Sequence, residues 1–166
     1  MKFWLMKSEG DSYSIDHLAR DLVTPWEGVR NYQSRNFMVQ DMQVDDLVLF
    51  YHSNAKPSGV YGVAKVVTLA HPDESQFDTS QVYFAQKASR VRPIWFCVDV
   101  GFVEKFNIPI GLEQLKSDPN LEGMLVRAKG SRLSIQPVSQ EHFSYICHLA
   151  RVSVEASCVS DREVIG

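Results

Sequence analysis

Short apolar segments rich in β-branched and aromatic residues recur along this chain and predict a protein built mainly from strands. The clearest is 94–106, where large apolar residues alternate with small or polar ones at a period of two. Gly62 interrupts another such segment and marks a bulge or a close approach of a second backbone. Strands are predicted over 3–6, 47–51, 60–69, 94–106 and 131–138.

Helical spacing of apolar residues is limited to short stretches between these strands. Ser14 can cap a helix that ends near Leu22, and Ser34 can cap a second helix ahead of the strand at residue 47. Ser139 can cap a closing helix whose apolar residues recur at i, i+3, i+4 and i+7. Short helices that interrupt strands, without the long alternating helices of a parallel sheet, predict an α+β fold with a small twisted barrel or a strongly curved sheet.

Length and composition predict one folded domain. The 166 residues, 45% apolar and 22% charged, can bury a core without disulfides or metal. Residues 1–151 are assigned to this domain, and 152–166, where periodicity and aromatic residues are lost, to a C-terminal tail. The 3 cysteines are too widely spaced for a disulfide framework, which favours a reducing compartment. No apolar run approaches the ~20 residues of a membrane span, so we expect a cytoplasmic protein, or a nuclear one in a eukaryote.

The basic residues are unevenly distributed on a chain whose net charge is −3. This net charge argues against a protein that holds long duplexes mainly by neutralising phosphates. Two segments, 79–98 and 123–140, contain basic residues and no acid. They suit either a local phosphate-facing patch or ordinary solvated loops, and both interpretations stay open. Their basic residues are Lys87, Arg90, Arg92, Arg127, Lys129 and Arg132.

The segment from Thr24 to Asn36 gathers aromatic rings, amides and guanidinium groups around Gly28, with almost no aliphatic side chains. Such groups suit a planar, hydrogen-bonding ligand such as a nucleobase. Trp26 follows a proline in a loop, where a ring often lines a cleft; a base stacked on it would gain ~1–3 kcal/mol. Asn31 could bind the edge of that base. Trp26 could equally be a core anchor that seals one end of the barrel.

Catalytic and metal-binding signatures are missing from the sequence. It contains no GxGxxG, GxxxxGK[ST], HExxH or GxSxG motif, and its 5 histidines are scattered. We therefore expect no catalytic residue, no metal and no cofactor. The alternative is an enzyme acting on a nucleotide or small heterocycle, with His52 as general base. A third possibility is an interaction module whose cleft takes a protein segment or a small metabolite.

Five motifs, in this order, resemble the EVE domain family over about residues 2 to 150. The resemblance implies a fold similar to PUA and YTH domains, a mixed β-barrel of about five to six strands with short flanking helices. It also implies a non-catalytic reader of a modified nucleobase, methylated or hydroxymethylated, in DNA or RNA. The motifs are FWLMKSEGDSYSIDHL, TPWEGVRNYQSRNFM, DLVLFYHSN followed by GVYGVAKVV, PIWFCVDVGFV, and RLSIQPV.

Matching these motifs position by position implies a binding site on this chain. The implied partner is a nucleic acid. No association with a membrane is expected, and the protein is expected to be a monomer. Nucleobase contacts are implied for Trp26, Gly28, Val29, Arg30, Asn31, Arg35, Tyr51, His52 and Ser53. Contacts to phosphate or flanking groups are predicted for Lys7, Ser8, Lys87, Arg90, Arg92, Lys129, Arg132, Ser134 and Gln136.

Overall fold

A computed structural model describes residues 1–130 and 133–163 of the chain. Short π and 3-10 turns, at Phe37–Asp41, Glu74–Phe77, Pro119–Leu121 and Leu125–Arg127, link the regular elements. The strands are β1 (Phe3–Glu9), β2 (Val23–Pro25), β3 (Leu47–Ser53), β4 (Gly59–Val66), β5 (His71–Pro72), β6 (Phe96–Cys97), β7 (Asp99–Gly111) and β8 (Ile135–Val138). The α-helices are α1 (Ile15–Asp21), α2 (Tyr32–Asn36), α3 (Leu112–Ser117) and α4 (Gln140–Glu163).

Six of these strands form one mixed sheet that curves into a half-barrel, in the order β2-β7-β4-β3-β1-β8. Strands β1 and β3 run parallel, whereas the other neighbours in this sheet pair antiparallel. Strands β5 and β6 form a separate two-stranded sheet. The predicted α+β fold, with five to six strands and short flanking helices, is confirmed.

The parallel pairing of β1 with β3 brings the polar ends of both strands to the same edge of the sheet. Lys7 lies beside Tyr51, and Ser8 lies beside His52. The other neighbour of β1 approaches the same edge, because the Lys7 amide donates to the Ser134 carbonyl at 2.8 Å. Side chains with ammonium, hydroxyl and carboxylate groups, those of Lys7, Ser8 and Glu9, therefore lie at this edge.

The sheet separates two hydrophobic clusters. Side chains of β1 alternate between them, as a period of two requires: Trp4 and Met6 belong to one cluster and Leu5 to the other. Trp26, from the loop after β2, joins the first cluster. Helix α4 covers the second cluster through residues such as Phe143. Both faces of the central strands are therefore buried, which explains their nearly continuous apolar sequence.

Two of the three predicted helix caps are confirmed, and the third was wrong. Ser14 caps α1, and the Ser139 hydroxyl accepts from the backbone of the first turn of α4. Helix α2 begins earlier than predicted, and its cap is Asn31, whose Oδ1 accepts from the Ser34 amide at 2.9 Å. Ser34 is buried inside the helix. An Asn with extended backbone satisfies the free amides of the first turn as well as a serine does.

The long strand predicted over 94–106 is two strands, β6 and β7, which belong to different sheets. The break falls at Val98, whose carbonyl accepts from the Trp26 amide at 2.9 Å. The expectation at Gly62 is confirmed. A Cβ there would overlap the carbonyl oxygen of Glu104 on the neighbouring strand, and the pairing register shifts at this point.

Two further segments frame the site. Residues 78–95 contain no helix or strand; we call them the 78–95 loop. Helix α4 continues to Glu163, beyond the point where periodicity is lost. The division into a domain over 1–151 and a tail over 152–166 stays a prediction. No helix in the described part of the chain has the length and hydrophobicity needed to cross a bilayer.

Candidate functional site

A solvent-open cavity of about 370 Å³ lies where the end of β1, the loop after β2 and the 78–95 loop meet. Its volume lies near the lower end of the range typical of small-molecule sites, about 300–1,000 Å³. Three aromatic residues, Tyr13, Trp26 and Tyr83, contribute to its wall. Hydrogen-bond donors and acceptors line the rest. The Lys7 ammonium is a donor, and the carboxylates of Glu9 and Glu27 are acceptors.

Trp26 is both a core residue and part of the cavity wall. Its side chain is only 8% exposed and meets Phe50 edge to face, with ring centroids 5.5 Å apart. Its backbone amide is held by the Val98 carbonyl. The two interpretations left open by the sequence therefore hold together: the indole is anchored in the core and borders the cavity.

Tyr83 also contributes an aromatic ring to the cavity wall, and it was not among the residues predicted from the sequence. Its ring is 44% exposed and lies against the backbone of Gly28, where a Cβ would come within 2.7 Å of the ring. Gly28 also has a φ of +89°, which disfavours any side chain. The signal that could have found Tyr83 was the run Val82-Tyr83-Phe84, three large apolar or aromatic residues in a segment without helix or strand periodicity.

Arg30 borders the cavity, but its guanidinium is saturated by the protein. Its five N–H groups make five hydrogen bonds. Two reach the Tyr83 carbonyl, at 2.7 and 3.2 Å, and the others reach the Val29 carbonyl, Asp73 and Ser75 at 3.0–3.1 Å. Arg30 therefore fastens the 78–95 loop to the segment after β2, instead of offering donors to a ligand.

Asp73 is a buried hydrogen-bond acceptor at the centre of this part of the site, and no sequence pattern singles it out. It accepts hydrogen bonds from the Gly28 amide at 2.9 Å, from Arg30 and from Ser75. Burial alone would raise the pKa of Asp73, but these hydrogen bonds outweigh it and hold the pKa below its ordinary value. Burial of its carboxylate end, followed by the nearby Asp73 charge, raises the pKa of Glu27, although much of that residue is exposed.

Three of the predicted flanking residues lie on the cavity: Lys7, Ser8 and Ser134. The Lys7 ammonium lies 5.7 Å from the centre of the Tyr51 ring, and burial lowers its pKa. Among the described residues it joins no salt bridge. The Ser8 hydroxyl donates to the Tyr13 carbonyl at 2.7 Å and keeps lone pairs free to accept.

The Tyr51-His52-Ser53 segment does not line the cavity. Tyr51 is buried in the second hydrophobic cluster. His52 is buried too, stacks on Tyr61 at 3.8 Å between ring centroids, and its Nε2 accepts from the Ile15 amide at 3.1 Å. Burial lowers the pKa of His52. Its lone pair is therefore already used, which argues against His52 as a general base.

Asn31 and Arg35 also lie outside the cavity wall, unlike Gly28 and Val29, which contribute to it. The side chain of Asn31 is occupied by the cap of α2. Arg35 donates to the Ile94 carbonyl at 3.0 Å, and its guanidinium lies 4.7 Å from the centre of the neighbouring Tyr32 ring.

The other described residues predicted to contact phosphate or flanking groups do not line the cavity. Arg90 makes an exposed salt bridge with Glu74 at 2.8 Å. Gln136 is buried, and its amide donates to the Leu133 carbonyl at 3.0 Å. Arg132 lies outside the described residues. Exposed basic residues at the predicted positions are Lys87, Arg90, Arg92 and Lys129.

A histidine–carboxylate pair lies on the strands β5 and β7. The Asp99 carboxylate lies 2.7 Å from His71 Nε2. Burial, the largest single influence, would lower the pKa of His71, but the hydrogen bonds to Asp99 and the Pro72 carbonyl, together with the Asp99 charge, raise it. Cys97 lies 4.0 Å from the ring nitrogens, but burial raises the pKa of its thiol, so it is not a thiolate nucleophile. Within residues 1–130 and 133–151, no three His, Cys, Asp or Glu side chains are arranged to hold a metal ion.

Several known proteins are similar to this chain in sequence, and solved structures among them have a similar fold. Thymocyte nuclear protein 1 of Mus musculus is 39% identical in an alignment that covers 89% of this chain and 73% of the mouse protein. A solved structure of a hypothetical protein from Leishmania major has a TM-score of 0.88 and 43% identity, covering 92% of this chain and 96% of that chain.

A second solved structure is that of human THYN1 in complex with DNA containing 5-methylcytosine. It has a TM-score of 0.83 and 36% identity, covering 90% of this chain and 98% of that chain. The family model of the EVE domain matches residues 2–149, which confirms the resemblance noted from the sequence motifs. The chain therefore belongs to the EVE domain family.

Proposed function

We propose that this chain binds nucleic acid and recognises one modified nucleobase, without changing it chemically, in the cavity bordered by Trp26 and Tyr83. Methylated or hydroxymethylated cytosine, in DNA or RNA, is the proposed base. The observation that carries the proposal is the cavity itself, about 370 Å³, lined by three aromatic residues and by polar groups of mixed character. The human relative that was solved with 5-methylcytosine DNA supports methylated cytosine in DNA as the first candidate.

The cavity chemistry matches the edge of a cytosine. Cytosine presents an amino donor beside ring acceptors, so its reader needs both acceptors and donors. Glu9 and Glu27 supply carboxylate acceptors, and Lys7 supplies an ammonium donor. The ring faces of Trp26 and Tyr83 can stack on the base, for a gain of about 1–3 kcal/mol.

Binding without turnover is supported by the state of the groups that could act as base or nucleophile. The His52 Nε2 is occupied by the Ile15 amide, and burial lowers the pKa of the ring. Burial raises the pKa of the Cys97 and Cys147 thiols. None of these three side chains lines the cavity.

The proposal is tested by fluorescence anisotropy with oligonucleotides that differ only at one cytosine. That cytosine is unmodified, 5-methylated or 5-hydroxymethylated, in matched DNA and RNA strands. We expect tighter binding of a modified strand than of the unmodified one. Equal affinity for all of them would contradict base recognition.

A pair of tyrosine variants connects the affinity to the cavity. Tyr83→Ala is expected to weaken binding of the modified strand roughly 5- to 150-fold, the equivalent of one stacking contact. Its backbone carbonyl, which Arg30 holds, is retained. Tyr32→Ala is the matched control, because Tyr32 is also exposed but lies outside the cavity wall. Equal losses in both variants would argue against the cavity as the binding site.

A further inference from the structure

The cavity-lining Tyr83 is flanked on both sides by exposed apolar side chains. Val82 is 94% exposed and Phe84 is 41% exposed. Neither lines the cavity. Single exposed apolar residues are common, but two of them beside the aromatic wall of a proposed binding site form a contiguous apolar tip. We call Val82 and Phe84 the loop tip.

The loop tip is held in place by hydrogen bonds at its base. Arg30 binds the Tyr83 carbonyl twice, and the Phe84 amide donates to the Gln81 carbonyl at 3.2 Å. The Ala85 amide then donates to the Gln76 carbonyl at 2.9 Å. The exposure of the tip is therefore a property of an anchored loop, whose apolar end the protein presents to solvent.

The chain segment that carries the loop tip is basic, although Glu74 and Asp78 precede it. Residues 79–98 contain no acid, and Lys87, Arg90 and Arg92 are all exposed. Arg90 is paired with Glu74, but both side chains are more than 60% exposed. Such a pair contributes roughly 0–1 kcal/mol, so a phosphate can compete for the guanidinium.

We propose that Val82 and Phe84 form a wedge that enters the base stack of a DNA duplex at the point from which the recognised base has been extruded. This rests on the proposed function, since a base held in the cavity leaves a gap in the duplex. Extrusion costs a few kcal/mol of stacking and pairing, which inserted apolar side chains can partly replace. Lys87 and Arg92 then lie close enough in sequence to contact the phosphates on either side.

The geometry suits this role. Consecutive Cα atoms lie about 3.8 Å apart, so the wedge begins one residue from the cavity wall. In the proposed complex, adjacent residues of one loop contact the extruded base and the gap that it leaves.

The wedge is tested by comparing single-stranded and duplex DNA that carry the same 5-methylcytosine. In the double variant Val82→Ser with Phe84→Ser, duplex affinity is expected to fall about tenfold or more, because the gap is left unfilled. Affinity for the single strand, which has no stack to open, is expected to stay within about twofold. Val44→Ser is the matched control, since Val44 is 47% exposed and precedes β3 at the sheet end opposite Lys7.

The outcomes separate the wedge from the proposed function. A duplex in which the modified base faces an abasic site should recover part of the lost affinity, because less pairing is broken. Equal loss on single strand and duplex would overturn the wedge and assign the tip to the base site itself. Wild-type binding to the single strand but not to the duplex would also overturn it. Wild-type protein that distinguishes no modified cytosine in either form would overturn the proposed function.

Discussion

The Arg30 guanidinium donates two hydrogen bonds to the Tyr83 carbonyl, at 2.7 and 3.2 Å, and lies 5.3 Å from the centre of the Tyr83 ring. This relationship connects segments 53 residues apart. It gives Arg30, which sequence reasoning considered as a ligand contact, a different role: it positions the aromatic wall of the cavity. The remaining donors of Arg30 reach Asp73 and its neighbours, so one side chain joins three parts of the site.

Replacing Arg30 should destabilise the fold as well as the site. In Arg30→Ala the fully buried Asp73 carboxylate loses its charged partner, which is expected to lower the free energy of unfolding by about 3–5 kcal/mol. The measurement is chemical denaturation. Arg90→Ala is the control, because its salt bridge to Glu74 is exposed and should change stability by no more than about 1 kcal/mol. Equal midpoints for the two variants would contradict the structural role of Arg30.

Gly28 should resist substitution for two separable reasons, its positive φ and the ring above it. Gly28→Ala is expected to destabilise the protein and displace the Tyr83 ring, because the new Cβ would lie 2.7 Å from that ring. Gly123→Ala is the matched control: its φ is +94°, but nothing lies within 4 Å of the added Cβ. Backbone strain at a positive φ costs about 1–3 kcal/mol of stability in either variant. Any additional loss of stability in Gly28→Ala measures the contact of the new Cβ with the Tyr83 ring. Identical losses of stability and binding would show that the contact contributes nothing.

Trp26 should be probed by a conservative substitution. Trp26→Ala removes a side chain that is only 8% exposed and packs on Phe50, so it is expected to cost about 3–5 kcal/mol of stability. Trp26→Phe keeps most of the packing and should weaken modified-oligonucleotide binding at a smaller cost in stability. Trp95→Phe is the control, since Trp95 is equally buried but lies outside the cavity wall. Unchanged affinity in Trp26→Phe would remove the indole from the binding surface.

The buried His52 and the paired His71 should titrate on opposite sides of the ordinary histidine pKa of about 6.5. Burial lowers the pKa of His52, so it should stay neutral to lower pH. The Asp99 hydrogen bond raises the pKa of His71, so it should stay protonated to higher pH. The measurement is an NMR titration of the ring protons. Asp99→Asn should lower the pKa of His71 and leave that of His52 unchanged.

These two shifts affect stability in opposite directions. The stability contributed by neutral His52 is fully present above its unfolded pKa of about 6.5 and is lost as the pH falls through its lower folded value. The stability contributed by protonated His71 is present below about 6.5 and is lost as the pH rises through its higher folded value. A titration in which both rings share one pKa would contradict both assignments.

The sequence was informative about the site wherever one continuous segment builds it. Trp26, Gly28 and Val29 line the cavity because a single loop after β2 carries all three. The strands β1, β3 and β4 were also predictable, because alternation and β-branched composition determine which side chains face the core, whereas the short strands β2 and β5 were not predicted. The position of Asn31 as a helix cap could have been recognised from the same segment, since asparagine is among the favoured capping residues.

The remainder of the site depends on contacts between distant segments. Asp73 reaches Gly28 across 45 residues, and no local pattern predicts that contact. His52 looked reactive because it ends a strand, but the chain folds the Ile15 amide onto its Nε2. Tyr83 belongs to a loop without regular structure, so periodicity could not indicate which way its ring points.

The buried carboxylate of Asp73 has one more consequence. Because it binds Gly28, Arg30 and Ser75 together, this side of the cavity is held in place by hydrogen bonds within the protein. A preorganised host loses little conformational entropy on association. If the cavity binds a cytosine as proposed, discrimination between the unmodified and the methylated base would depend on the fit of a few atoms. The cavity would rearrange little when the base binds.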